Sequence, residues 1–341
     1  MSAPSPFDAS GAQFAWDSTS IKLAETCLYK YYLKMHAGWG PATKSAHLIF
    51  GAHYATALED YHKAIADGVD REQAVRDVVH QALCDTWEYD DCSHCEGSGE
   101  ITFHQIAPAG AHPSPVICDN CDGTGNEPGS GQPWTSDHNL KTRGNLIRSI
   151  IWYLDHFRDD PCETVILSSG KAAVEYSFKL PVDNDIVLSG HLDRLVTYAD
   201  HLYVQDQKTT GTTISARFFD GFNPDTQMSL YTLAGKAIFG LPVKGVMIDA
   251  AQVAVGFTRF ERGFTFRAED QLQEWYEGAM HTIEAARRAT HEGYFPMNPS
   301  SCGNYGGCEF RHVCSKSPSV REQFLKGDYV KGEIWNPLRP R

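Results

Sequence analysis

Residues 186–210 read IVLSGHLDRLVTYADHLYVQDQKTT, and the fold follows from this stretch. Apolar and polar residues alternate with a period of two on either side of an Ala-Asp turn, the pattern of two half-buried strands. The preceding AAVEYSFKL, 172–180, adds a third strand joined by another Asp- and Asn-rich turn. Asp193 lies inside the first strand of the quoted pair, and Asp206 and Lys208 lie inside the second. An ionised side chain in a strand core is costly unless it is paired or holds a metal. Alternation puts His191 and Asp193 on one face of their strand and Asp206 and Lys208 on one face of the next. If those faces coincide, two carboxylates and an ammonium meet over a small area. That set can hold a hard divalent cation through oxygens, while the lysine orients or helps deprotonate a water and offsets charge on a pentavalent phosphate. An Asp–Lys pair on a half-exposed hairpin accounts for the same residues equally well.

Working outward, residues 18–36 (STSIKLAETCLYKYYLKMH) are expected to form a helix with a Ser/Thr cap, and 46–66 and 71–88 two more. From 90 to 136 the periodicity stops and Gly, Pro and Ser take over, marking an inserted loop module. Helical spacing returns over 138–158 and again over 224–239. An apolar run, GVMIDAAQVAV, precedes an expected hairpin turn at Glu261-Arg262-Gly263, and a long helix follows over 268–292. The order suits a mixed α/β sheet flanked by helices. On the 224–239 helix Gln227 and Tyr231 lie four apart and share a face; alone they read as a capping amide and a core aromatic.

Composition narrows the function classes. The 341 residues carry 30 Lys and Arg against 43 Asp and Glu, a net −13, with 42% hydrophobic residues. That is enough for a packed core of one large domain or two small ones. The acidic total argues against a nonspecific nucleic-acid coat but leaves room for a local basic groove. No stretch has the length of a membrane span and the first residues do not read as a secretion signal, so a cytoplasmic, membrane-free protein is expected. Ten cysteines then point to metal ligation rather than disulfides.

Cys92-Ser-His-Cys95 and Cys118-Asp-Asn-Cys121 are two C-x-x-C knuckles, each followed by x-G-x-G. Two intervening residues let both thiolates reach one tetrahedral zinc, and the glycines allow the tight turn beneath it. The halves resemble the repeat of the DnaJ cysteine-rich module, with one pair supplying one zinc, whose expected role is structural. Cys302, Cys308 and Cys314 form a second group lacking a fourth ligand. Zinc could recruit His312; an iron–sulfur cluster could recruit Cys27 and clip the two ends of the domain together. Cys84 and Cys162 read as small core residues.

Taken together, G-H-L-D-R (190–194), D-Q-K-T (206–209) and Q-M-S-L-Y (227–231) resemble the motifs of the RecB-type branch of the PD-(D/E)xK nucleases. Ser20 and Cys27 with the late cysteine trio resemble its iron–sulfur variant, found in AddB and the CRISPR-associated RecB-like exonucleases. The resemblance runs from about residue 18 to 316, apart from the knuckle insertion. It implies a restriction-endonuclease-like fold with Asp193 and Asp206 as ligands of Mg or Mn, the Gln207 carbonyl as a third, and Lys208 as the catalytic lysine. It gives Gln227 and Tyr231 a place near the nucleic-acid strand, Glu175 a place in the site, and Cys27, Cys302, Cys308 and Cys314 a 4Fe–4S cluster. The family's metal-binding histidine falls at Ala55 in FGAHYATALE, and His53 sits about 200° round the helix, so Glu59 or His191 is expected to fill in.

The expected organisation is an N-terminal helical part (1–88), a zinc-knuckle insertion (89–136), a nuclease core (137–300), a cysteine segment (301–316) and a C-terminal tail (317–341) expected to be disordered. The leading function is a divalent-metal-dependent DNA exonuclease acting on single strands or duplex ends in recombination, repair or phage DNA processing, in concert with a helicase or recombinase. The alternative is a nuclease-fold DNA-binding module that does not cut. A DnaJ-like chaperone cofactor ranks last, because it leaves the strand carboxylates unexplained.

Overall fold

The computed structural model describes residues 4–43, 45–101, 116–182, 185–239 and 242–339. The middle of the knuckle insertion, 102–115, and the expected turn at 183–184 lie outside these. Seven strands make one mixed sheet: β1 (Ala15–Trp16), β2 (Glu163–Thr164), β3 (Val174–Pro181), β4 (Val187–Tyr198), β5 (His201–Thr210), β6 (Val243–Val253) and β7 (Thr258–Thr265). The long β4 is the hub. It pairs antiparallel with β2 and β3 along one edge, and with β5 and, in parallel, β1 along the other. Parallel pairing of β5 with β6 follows the crossover through the helix between them, and β7 closes the sheet antiparallel to β6.

Among the described residues six helices longer than eight residues flank it: α1 (Ser18–Thr26), α2 (Ala46–Ala66), α3 (Arg71–Asp85), α4 (Arg143–His156), α5 (Thr226–Phe239) and α6 (Glu269–Glu292). Ile21 of α1, Met228 and Leu230 of α5 and Ile283 of α6 pack with Val204 and Ile248 on one face of the sheet. Phe50 and Tyr54 of α2, Val78 of α3 and Ile150 of α4 pack with Ala251 and Val253 on the other. Alternation along β6 therefore feeds two cores.

Four expectations are corrected. The helix over 18–36 breaks at Cys27, whose extended backbone (φ −169°, ψ 116°) ends α1 before helical turns resume over Leu28–His36. The hairpin turns at Ala254–Phe257, where the Ala254 N–H donates to the Phe257 carbonyl at 3.0 Å. Glu261, Arg262 and Gly263 lie mid-strand in β7, where the buried Asp249 and the partly buried Asp160 hold Arg262. Cys84 is exposed on α3, whereas Cys162 is buried. The C-terminal segment is packed rather than loose: Tyr329–Lys331 pairs with Trp39–Pro41, the Trp335 indole N–H donates to Asp17 at 2.8 Å, and Leu338 is buried.

Candidate metal and nucleic-acid site

The turn at Ala199–Asp200, both residues at positive φ, folds β5 back on β4 with Gln205 opposite Arg194. One residue further on, Asp206 and Asp193 come together. The Gln207 backbone N–H donates to Asp193 Oδ2 at 2.8 Å, so the Asp193 carboxylate takes a position next to β5. Asp206 is fully buried, and its carboxylate makes an ion pair with the Lys208 ammonium. Among the described residues neither Asp206 oxygen has any other hydrogen-bond partner, and the Gln207 side-chain oxygen is likewise buried without one. Burial pushes the Asp206 carboxyl up to about 7, with Lys208 opposing the shift and Asp193 adding to it. Burial works against the Lys208 ammonium, but Asp206 and Asp193 more than offset it and hold the lysine above its usual range.

On the first turn of α5, Asp225 caps the backbone N–H groups of Gln227 and Met228 at 2.8 and 3.2 Å, which fixes the aim of Gln227. Lys208 Nζ donates to the Gln227 side-chain oxygen at 3.2 Å, and Gln227 Nε2 donates to the Tyr231 hydroxyl at 3.0 Å. Burial and the nearby Asp193 and Asp206 raise the Tyr231 phenol well above its usual value, so it stays neutral. The shared face expected from the sequence thus becomes one hydrogen-bonded row leading from the lysine.

A pocket of about 10 Å³, room for a single water-sized species, opens beside these groups. Ala55, Glu59, Glu175, Asp193 and Gln207 line it. Ala55 leaves this wall bare, and Glu59, one turn later and ion-paired with Lys63, reaches it. His53 instead faces Asp85 and Glu88 at the end of α3, and His191 shares a 2.8 Å hydrogen bond with Ser177. Glu175 is held at positive φ (46°) in β3. Asp193, Asp206, Glu59, Glu175 and Gln207 offer oxygens, and a buried carboxylate with one lysine as its donor among the described residues is what a hard cation would satisfy; these residues fit Mg or Mn.

Sequence reasoning missed the groups behind this pocket. His62 lines it and is buried, with Arg194 Nη1 3.2 Å away; burial and that guanidinium keep the imidazole well below its usual pKa. Arg194 also donates to Gln205 (3.0 Å), Gln205 to Asp249 (2.5 Å), and Asp249 accepts from Tyr153 (2.6 Å) and Arg262 (3.0 Å). Asp249 sits in the apolar run GVMIDAAQV, the same signal that singled out Asp206.

Two cysteine sites stand apart. Among the described residues, Cys92, Cys95, Cys118 and Cys121 form a buried group with all sulfurs within 4.8 Å of one another. The Cys92–Cys118 and Cys95–Cys121 separations are 3.8 and 3.7 Å, the edge of a tetrahedron with metal–sulfur bonds of about 2.3 Å. The halves are related by an approximate two-fold: Cys92 N–H donates to the Gly125 carbonyl at 2.8 Å and Cys118 N–H to that of Gly99 at 2.9 Å. Gly99 and Gly125 have positive φ, and a Cβ on either would meet a carbonyl oxygen at 2.4 or 2.3 Å. Cys27, Cys302, Cys308 and Cys314 line one cavity of about 290 Å³, a wider arrangement than the single-ion knuckle.

Among solved structures, a candidate exonuclease from Eubacterium rectale is similar at a TM-score of 0.47 and 11% identity, over 91% of this chain and 92% of that one. No curated protein matches the chain. The model of the PD-(D/E)XK nuclease superfamily matches residues 129–315, more than half of the 341. That span holds β4, β5 and α5 with every residue of the Asp193–Asp206–Lys208–Gln227–Tyr231 row, and the chain belongs to the PD-(D/E)XK nuclease superfamily.

Proposed function

We propose that the chain is a divalent-metal-dependent DNA exonuclease of the RecB-like type, acting on single strands or duplex ends in recombination, repair or phage DNA processing. The observation that carries this reading is the buried Asp206 carboxylate beside Asp193, ion-paired with Lys208 and next to a small pocket that Asp193, Glu59, Glu175 and Gln207 help to line. Asp193, Asp206 and the Gln207 carbonyl would hold Mg or Mn, with Glu59 and Glu175 on the wall that Ala55 leaves bare. The cation supplies Lewis-acid activation of water and charge neutralisation on the phosphate. Lys208, kept protonated, acts as a donor: it orients the attacking water and offsets charge on the non-bridging oxygens. Gln227 holds the ammonium in place, and neutral Tyr231 offers a hydroxyl to the strand. The knuckle group takes structural zinc, and Cys27 with Cys302, Cys308 and Cys314 takes a 4Fe–4S cluster that fastens the break after α1 to the C-terminal segment.

End-labelled single- and double-stranded DNA, manganese or magnesium, and anaerobically purified protein test this. The expected result is stepwise shortening by the wild type and a loss of about 10²–10⁴-fold in Asp206→Ala. If both proteins bind DNA equally and neither cuts, the bare wall at Ala55 has left a binding module, and the exonuclease reading falls.

A further inference from the structure

We propose that the aromatic cleft beside the C-terminal cysteine segment is a base-stacking platform for single-stranded DNA, an inference that rests on the nuclease reading above. The cleft, about 890 Å³, lies between the helical turns after Cys27 and the chain that leaves α6. The rings of Tyr29 and Tyr32 stand 6.1 Å apart at 27°, and those of Tyr32 and Phe295 4.7 Å apart at 26°, so Tyr32 is stacked against a ring on each of two neighbours. The Arg321 guanidinium sits 5.7 Å from the Tyr29 ring, and Tyr294 stands 68% exposed at the cleft. Among the described residues no Asp or Glu lines it, in a chain with 43 of them.

This chemistry selects the occupant. Flat ring faces accept bases of any sequence, and a guanidinium serves either a base plane or a phosphate. A carboxylate-free wall is what a polyanion needs on an otherwise acidic protein. The cleft is tied to the candidate metal site. Lys22 pairs with Asp225 at 2.7 Å and Thr226 donates to Glu25 at 3.2 Å, fastening α1 to the turn of α5 whose Gln227 touches Lys208. Two residues after Glu25 the chain runs through Cys27 into Tyr29 and Tyr32. A strand stacked in the cleft would thus be held at a fixed offset from Lys208.

Fluorescence anisotropy with labelled dT20, a blunt 20-base-pair duplex and an abasic 20-mer, calcium replacing magnesium, provides the test on the full-length protein. Tyr29 also packs against Leu33 and Phe310, so the decisive variant is the exposed Tyr294→Ala. The expected result is dT20 binding weakened about tenfold, restored by Tyr294→Trp, with duplex and abasic binding unchanged. Wild-type-like dT20 binding by Tyr294→Ala, or abasic and dT20 strands bound equally by the wild type, overturns the proposal. Hydrolysis of the p-nitrophenyl ester of thymidine 5′-monophosphate with manganese is read in parallel. This small ester does not span the cleft, so its cleavage by wild type and Tyr294→Ala alike reports the nuclease chemistry separately from the stacking.

Discussion

At the scale of single residues, the site turns on what replaces a side chain at Ala55. The residue lines the small pocket without offering a donor, and Glu59, one helical turn along, lines the same pocket while pairing with Lys63. Two uses compete for that carboxylate. As a ligand it adds a charged oxygen to the cation shell; as a partner for a partly exposed lysine it contributes at most about 1 kcal/mol. Glu59→Gln is nearly the same shape, so it separates the two. If Glu59 completes the shell, manganese affinity measured by calorimetry falls about tenfold or more while the melting temperature of the metal-free protein barely moves. Unchanged affinity would return Glu59 to the surface pair and leave Glu175 as the donor on that wall. His62, buried in the same wall, sets a pH limit on stability. Its folded-state pKa is held well below the usual 6.5, so below that value the unfolded chain binds a proton the folded protein refuses. Stability is therefore present above about pH 6.5 and declines as pH falls, by up to about 1.4 kcal/mol per unit for this one group. Thermal melts from pH 7.5 to 5 are expected to show a shallower loss in His62→Gln than in the wild type.

At the scale of elements, the strands and helices that carry the site were legible because two signals coincided: strict alternation, and a charge inside an apolar strand. Alternation left open whether the faces of Asp193 and Asp206 coincide and gave Gln227 and Tyr231 only a shared face; the structure brings the two carboxylates together and joins Gln227 and Tyr231 to Lys208. Asp249 carried the same signal and was passed over, because its partners come from distant parts of the chain. Arg262 pairs with it across β6 and β7 and reaches Asp160 at 2.6 and 2.9 Å, a contact no local spacing announces. The same contact explains why Glu261-Arg262-Gly263 is strand rather than turn: polarity there reports a buried network, not solvent. Removing one member of such a network leaves charge stranded in the interior. Arg262→Ala is expected to cost about 3–5 kcal/mol in urea unfolding, since it takes the nearest cation from both Asp249 and Asp160. A loss under about 1 kcal/mol would mean that water replaces the guanidinium at little cost. The break of the first helix at Cys27 was illegible for a different reason. Helical periodicity continues through it, and what interrupts it is a tertiary tie, the Asn298 N–H donating to the Cys27 sulfur at 3.3 Å.

At the scale of the whole molecule, charge is distributed unevenly, and the distribution assigns work to the parts. Residues 89–136 hold seven Asp and Glu and neither Lys nor Arg, more than half of the net −13 in one seventh of the chain. Phosphate binding needs cations that release condensed counterions, so this module is unsuited to gripping DNA even though it carries a four-cysteine group that could hold a metal ion. Its attachment is narrow: Trp87–Glu88 pairs with Gln132–Pro133, which brings the two ends of the insertion side by side. A short Gly-Ser linker replacing residues 90–130 can therefore bridge the stem without straining α3 or α4. The excised protein is expected to keep the fold of the core, lose one zinc per chain by elemental analysis, and bind single-stranded DNA at least as tightly as the full chain. Loss of seven negative charges should strengthen binding most at low salt, where repulsion is least screened, with the two proteins converging as salt rises. A severalfold weakening on excision at every salt concentration would instead make the knuckle a direct nucleic-acid contact, working through hydrogen bonds and apolar surface rather than charge.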